Sequence, residues 1–221
     1  MLYLISTPIG NLSDISKRAI DIIKDSAYIL CEDTRKSRIL LNHYKITTIP
    51  LISFHKFNEA KKEKRVIQDL KNNQDISLIS DAGTPTISDP GNRLIQSCIE
   101  ENIPYTAIPG PCSIIQALVL SGFSYKQFQF IGFLPKKKGK RKKILQKALL
   151  YDGVTICFES PYRIVTTLEY LSEQDSNKKV VIVREMTKKF EEILKDSSLN
   201  LYEHFKKHPP KGEFVMVISG I

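Results

Sequence analysis

Ten short apolar runs alternate with segments of helical spacing almost from end to end, and that alternation limits the chain to α/β architecture. The runs are rich in Ile, Val, Leu and Phe. They lie near 2–6, 27–31, 46–53, 75–80, 104–108, 128–134, 153–159, 179–184, 190–195 and 213–218. Between them Ile15, Ala19, Ile22 and Ile23 share one helical face, as do Leu94, Ile95, Cys98 and Ile99. The even alternation of the first half predicts a mostly parallel sheet. The second half has more strands per helix and hairpin-like final strands, which predicts a mixed sheet. A helix over 112–121 ends at Ser121-Gly122, and the polar stretch 124–127 follows. The expected organisation is two αβα domains, 1–122 and 123–221, each of ordinary domain size.

Composition narrows the class. Apolar residues at 42% and charged residues at 26% fit a globular chain rather than a disordered one. No apolar stretch approaches the ~20 residues of a bilayer span. The opening M-L-Y-L-I-S has no basic flank and reads as a strand, not as a secretory signal. Cys31, Cys98, Cys112 and Cys157 form no C-x-x-C pair, so neither a disulfide framework nor a structural zinc site is expected. These features predict a cytoplasmic protein with no membrane association. Lys plus Arg exceed Asp plus Glu by 33 to 24, a net +9. Seven of those cations lie in K-K-K-G-K-R-K-K at 136–143, and outside that segment the excess falls to +2. A dense cationic patch attracts polyanions and releases their counterions, which points to a nucleic acid unless the run is simply a solvated loop.

Ligands of open α/β sheets bind beyond the C-terminal ends of the strands. Three turns that follow strands are rich in Gly and Pro: T-P-I-G-N-L at 7–12, S-D-A-G-T-P-T-I-S-D-P-G at 80–91 and P-G-P-C-S at 109–113. Glycine allows close backbone approach and positive φ, and proline stiffens a loop. Three such loops on one sheet edge predict a site made largely by main chain. Neither a phosphate-binding P-loop nor a G-x-G-x-x-G fingerprint is present. The acidic residues Asp81 and Asp89 suit a partly cationic ligand better than a pyrophosphate.

The stretch 80–91 closely resembles the signature of the ribosomal small-subunit RNA 2′-O-methyltransferases of the tetrapyrrole-methylase superfamily. It is joined in order by T-P-I-G-N-L at 7–12, E-D-T-R at 32–35, P-G-P at 109–111, G-F-L-P-K at 132–136, E-S-P at 159–161, R-E-M-T-K at 184–188 and K-G-E-F-V at 211–215. The resemblance spans essentially the whole chain. It implies a homodimer of two-domain subunits with S-adenosylmethionine in the cleft between the domains. It also implies methylation of a cytidine ribose 2′-hydroxyl in the decoding region of 16S ribosomal RNA, free or in the small ribosomal subunit. Tyr162, after E-S-P, and Phe57, in F-H-K-F-N-E, stand where many members have histidine.

By that resemblance, Gly10, Asp81, Gly83, Thr84, Ile87, Ser113 and Phe158 bind the cofactor. Glu185, Met186 and Gly212 close its other side. Asp81 has a second possible role, shaping its own loop. Asp33 is a candidate base and Arg35 a candidate holder of phosphate or alkoxide, with an ion pair at a strand–helix junction as the alternative. His55 is either a base or a locally hydrogen-bonded histidine. Lys136, Lys137, Lys138, Lys140, Arg141, Lys142 and Lys143 are expected to grip RNA phosphates on the cleft rim. No metal is needed: His204 and His208 share i, i+4 spacing but have no acidic third ligand. The competing functions are methylation of a tetrapyrrole ring and a non-catalytic RNA-binding role in ribosome assembly. A DNA-binding module lacks any recognisable motif.

Overall fold

The computed structural model describes residues 1–220. It divides into two compact units, Met1–Cys112 and Ser113–Ile221. The first contains β1 (Leu2–Ile5), α1 (Lys17–Asp25), β2 (Tyr28–Cys31), α2 (Thr34–His43), β3 (Leu51–Ser53), α3 (Glu59–Lys71), β4 (Ile76–Ile79), α4 (Asn92–Glu100) and β5 (Tyr105–Ile108). Its five strands are all parallel, in the order β3-β2-β4-β1-β5. Strand alternation sorts the side chains onto two faces. Leu2, Leu4, Tyr28 and Leu30 pack with Val66, Ile67, Leu70, Leu94 and Cys98 of α3 and α4. Ile5, Ile29 and Cys31 pack with Ala19, Ile20, Ile23, Leu40 and Leu41 of α1 and α2. Both faces are covered over the central strands β2, β4 and β1, which are mostly apolar and buried, while the edge strand β5 keeps Tyr105 and Ala107 exposed.

The run at 46–53 is a strand only at Leu51–Ser53. Its first residues close α2 instead. Lys45 takes a φ of 56°, and the Ile46 N–H reaches back to the Leu41 carbonyl at 2.8 Å, a helix-terminating turn made without glycine.

The second unit contains α5 (Ser113–Ser121), β6 (Phe128–Phe133), α6 (Lys138–Leu149), β7 (Val154–Glu159), α7 (Ile164–Gln174), β8 (Lys179–Arg184), β9 (Glu192–Ser197), α8 (Ser198–Lys207) and β10 (Phe214–Ile218). The sheet order is β6-β7-β10-β8-β9, with β6 and β7 parallel and the remaining pairs antiparallel. Leu145, Leu168, Leu171, Leu201 and Phe205 of α6, α7 and α8 pack on one face with Cys157, Ile182 and Met216. Helix α5 contacts β7, β8 and β10 and buries Ile114, Ala117 and Leu118. The boundary expected from sequence, at 122, falls after this helix. In the structure the division falls before it, because the apolar stripe of α5 covers the second sheet.

One buried charge shapes a turn of this unit. The Glu159 side chain is fully buried at the end of β7. Its carboxylate accepts from the Ser160 N–H at 2.7 Å, the Thr167 hydroxyl at 2.7 Å and the Arg163 guanidinium at 2.7 and 2.8 Å. All of its partners come from the following turn and α7. Removing the cation leaves a buried charge uncompensated. Arg163→Ala is therefore expected to lower the unfolding free energy by about 3–5 kcal/mol in urea denaturation.

Candidate active site

In the first sheet the chain leaves β1 towards β2 and leaves β4 towards β5, in opposite directions. Since β1 and β4 are neighbours, a crevice opens beyond their C-terminal ends, where doubly wound sheets bind ligands. Two of the Gly/Pro loops meet there and the third joins them. Thr7 and Gly83 exchange backbone hydrogen bonds at 2.9 and 3.0 Å. The Thr7 hydroxyl donates to the Ser80 carbonyl at 3.0 Å, and the Ser80 hydroxyl donates to the Gly83 carbonyl at 2.9 Å. Ser6 and Thr84 share a hydroxyl–hydroxyl bond at 3.0 Å, and Thr84 donates to the Pro111 carbonyl at 3.2 Å. Gly83 sits at φ 84°, where a Cβ would lie 3.4 Å from Ile9. At Gly110 a Cβ would come within 2.9 Å of the Ser6 Cβ, so the third loop closes on β1 only as glycine. Thr86 and Ser88 hold left-handed backbones in the same loop as Gly83.

Asp81 ties this loop to α2. Its carboxylate accepts the Asp33 N–H at 3.0 Å and pairs with the Lys36 ammonium at 2.9 Å. Both contacts tie the signature loop to the start of α2. Beside this pair lies a cavity of about 110 Å³ bounded by Thr7, Leu12, Lys36, Ile39, Leu40 and Asp81. It is smaller than the ~300–1,000 Å³ of a typical ligand pocket and takes a fragment, not a nucleoside.

Asp33 caps α2. Its carboxylate accepts from the Arg35 N–H at 2.9 Å and from the guanidinium at 3.0 and 2.7 Å. Those bonds hold the carboxyl well below the usual carboxylate range. The pair is an exposed one: Arg35 is 88% accessible. A carboxylate this acidic is a weak proton acceptor. His55 is also occupied. Its Nδ1 accepts from the Phe57 N–H at 3.3 Å, and its Nε2 lies 3.1 Å from the Asn58 amide, at the start of α3.

Asp89, the second acidic residue of the signature loop, carries a shift that the sequence pattern does not reveal. Burial pushes its carboxyl up to about 6, and the neighbouring charges of Glu32 and Asp81 push in the same direction. Asp89 has no hydrogen-bond or ion-pair partner among the described residues. The second D of the loop signature was visible in the sequence. Its lack of a partner was not.

In the second unit Phe158 lies between Phe130 and Phe133, with ring centroids at 5.0 Å to each. Ser113 is the first residue of α5. Glu185 has a φ of 49°, accepts the Glu213 N–H at 2.9 Å and pairs with Lys188 at 3.0 Å. The Glu213 backbone bond leads in keeping its carboxyl low. A Cβ on Gly212 would fall 2.6 Å from the Glu185 carboxylate, so the glycine makes room for that side chain. Met186 is buried.

The basic segment is not one loop. Lys136 and Lys137 lead into α6, and Lys138, Lys140, Arg141, Lys142 and Lys143 lie within it. Lys137, Lys138 and Lys140 crowd its first turn, where the helix dipole already carries positive charge. That is unfavourable for the helix and favourable for an anion. Arg141 departs from the expectation of a phosphate contact. It is only 7% exposed, and its guanidinium donates to the Pro135 and Lys136 carbonyls at 3.4 Å and to the Thr166 hydroxyl at 3.3 Å. At the inward-facing helical position it braces the turn. Lys142 is half-committed, lying 4.6 Å from the Tyr170 ring centroid.

Comparison with known proteins agrees with this arrangement. Residues 1–200 match the family described as Tetrapyrrole (Corrin/Porphyrin) Methylases. The chain is 44% identical to the ribosomal RNA small subunit methyltransferase I of Hydrogenobaculum sp., covering 99% of this chain and 95% of that one. It is 40% identical to the protein of the same name from Thermotoga maritima, over 99% of this chain and 98% of the relative. Among solved structures, diphthine synthase superposes with a TM-score of 0.74 at 14% identity, covering 99% of this chain and 89% of that one. Uroporphyrin-III-C-methyltransferase from Thermus thermophilus gives 0.67 at 14%, covering 99% and 93%. Those two likenesses establish the fold, an α/β pair of one parallel and one mixed five-stranded sheet. With its signature loop clamped at the crevice and its sequence related from end to end, the chain belongs to the ribosomal RNA small subunit methyltransferase I family of the tetrapyrrole methylases.

Proposed function

We propose that this protein methylates the ribose 2′-hydroxyl of a cytidine in the decoding region of 16S ribosomal RNA, using S-adenosylmethionine, as a cytoplasmic homodimer. The observation that carries this reading is the full-length relationship to ribosomal RNA methyltransferases. It favours RNA over a tetrapyrrole ring, and catalysis over a passive role in assembly.

The first unit suits the cofactor on its own terms. Gly83 lets the signature loop turn at positive φ while packed against Ile9 and the Pro111 carbonyl. The carboxylates of Glu32, Asp81 and Asp89 are close enough to couple, and their field complements a sulfonium. When bound, S-adenosylmethionine supplies an activated methyl group and a neutral leaving group. Gly10, Asp81, Gly83, Thr84 and Ile87 are assigned to hold it. Ser113, Phe158, Glu185, Met186 and Gly212 carry the remaining positions of the family pattern.

The chain's own chemical task is proton removal. A ribose hydroxyl is a poor nucleophile until its proton begins to leave. Asp33, saturated by Arg35, is poorly suited to accept it, and His55 is engaged on both ring nitrogens. We assign the proton to the Asp89 carboxylate, which is largely ionised at neutral pH yet basic enough to work. Arg35 projects into solvent and is placed to meet a phosphate. The α6 lysines supply further phosphate contacts.

At 100 times its Kd, S-adenosylmethionine should stabilise the fold by about 2.7 kcal/mol in a thermal-shift titration. Gly83→Val, strained at its positive φ, should abolish that shift. The Asp89 assignment makes two predictions of opposite sense. Methylation of small-subunit RNA should rise with pH through about 6, and Asp89→Asn should remove that limb and lower the rate by ~10²-fold or more. Stability runs the other way. A raised carboxyl favours the folded state below its unfolded value, and that contribution is lost as pH rises through about 6. Asp89→Asn should therefore be the more stable protein at pH 7.5, by ~1 kcal/mol after solvent screening, or about 2–4 °C. Asp33→Ala should lower Tm through loss of the α2 cap and leave the shape of the pH–rate profile unchanged.

A further inference from the structure

In the second sheet β6, β7 and β8 end on the edge where β9 and β10 begin, so their connecting segments share one rim. That rim carries Phe133 at the end of β6, Tyr162 after β7 and Phe190 between β8 and β9. They are 63%, 94% and 67% exposed. Single exposed aromatics are ordinary, but three on one rim are not. Lysines stand among them: Lys136 and Lys137 after Phe133, Lys189 beside Phe190, and Lys211 before β10.

The acidic groups of this rim are already engaged. Glu159 is held by Arg163, Glu185 and Glu213 by Lys188, and Glu192 by Arg184, while Glu191 accepts the Thr187 N–H. Lys136, Lys137 and Lys211 have no acidic partner among the described residues, and Lys189 lies 5.6 Å from the Phe190 ring centroid. The rim therefore presents largely exposed rings in an unbalanced positive field, with Phe133 packed on one side against Phe158 and Phe190 lying beside Lys189. Base–aromatic stacking with backbone neutralisation is how proteins hold unpaired nucleotides. Duplex RNA keeps its base faces stacked inside the helix. The two outer strands, which flank Phe133 and Phe190, are four spacings apart, roughly 19 Å, enough for several nucleotides.

We propose that this rim is a stacking platform for unpaired nucleotides of the RNA substrate, with Phe133, Tyr162 and Phe190 taking base faces and Lys136, Lys137, Lys189 and Lys211 the phosphates. The inference rests on the RNA reading above and adds the form of RNA recognised. The test is fluorescence anisotropy of the full-length protein with a single-stranded oligoribonucleotide and with a hairpin duplex of the same length, at several salt concentrations. Phe133→Ala, Tyr162→Ala and Phe190→Ala should each weaken single-strand binding about 5- to 150-fold with an unchanged salt slope. Lys136→Gln combined with Lys137→Gln should instead flatten that slope by roughly 1.4. Tyr162→Ala, Phe190→Ala and the lysine variant should keep the S-adenosylmethionine thermal shift. Wild-type affinity in all three aromatic variants, or equal binding of duplex and single strand, overturns the platform. So does loss of the thermal shift in Tyr162→Ala and Phe190→Ala, which would assign those rings to the cofactor. Methylation of 16S RNA by the wild-type protein, assayed in parallel, separates failure of the platform from failure of the RNA reading.

Discussion

The reciprocal hydrogen bonds between Thr7 and Gly83 are the constraint on which the first unit's crevice depends. β1 and β4 run parallel, yet the loops beyond them meet as an antiparallel bridge, so both loops must turn sharply as soon as their strands end. Glycine at position 83 allows one turn and Pro8 stiffens the other. The remaining ties use short hydroxyls. Thr7, Ser80, Ser6 and Thr84 satisfy carbonyls and one another in a space too tight for longer side chains. A rim held this way is ordered before any ligand arrives, which reduces the entropy cost of binding.

Most of the fold was legible because both periodicities were clean. Leu2, Leu4 and Tyr3, Ile5 alternate onto opposite faces, and α1 buries Ala19 and Ile23 of the expected stripe, with Ile20 more deeply set than Ile22. The readings that shifted share a physical cause. Ile46 looks like strand but closes a helix, because that turn is made by a lysine at positive φ where glycine would have announced it. Helix α5 reads as the end of the first domain, because a stripe of Ile, Ala and Leu does not say which sheet it covers. Pattern reports that a segment is half-buried; only tertiary structure supplies its partner.

The candidate site was legible as a set of loops and less so as a set of roles. E-D-T-R offers an acid and a base side by side, and sequence cannot tell that Asp33 spends its carboxylate on Arg35 two residues on. Asp81 and Asp89 flank the same loop with the same chemistry. One faces a cation and a backbone N–H; the other faces carboxylates. Arg141 sits among lysines yet turns inward, because α6 points that position at the core. In each case composition was right and direction decided the role.

Direction also explains how the chain carries a strong positive patch without an equally strong acidic one to cancel it. In the second unit the rim carboxylates are consumed by near neighbours. Glu185 is drawn to Lys188 and the Glu213 N–H, and Gly212 is kept bare so that it can be. Lys188 is the cation sacrificed there. Burial alone would lower its pKa, and its bonds to Glu213 and Glu185 more than reverse that, so it stays charged but spoken for. Among the described residues Lys136, Lys137 and Lys211 are left without an acidic partner. Because like charges crowded at the start of α6 weaken the helix, local stability gives no reason for their presence. A polyanion that neutralises them does, and such binding must weaken steeply with salt.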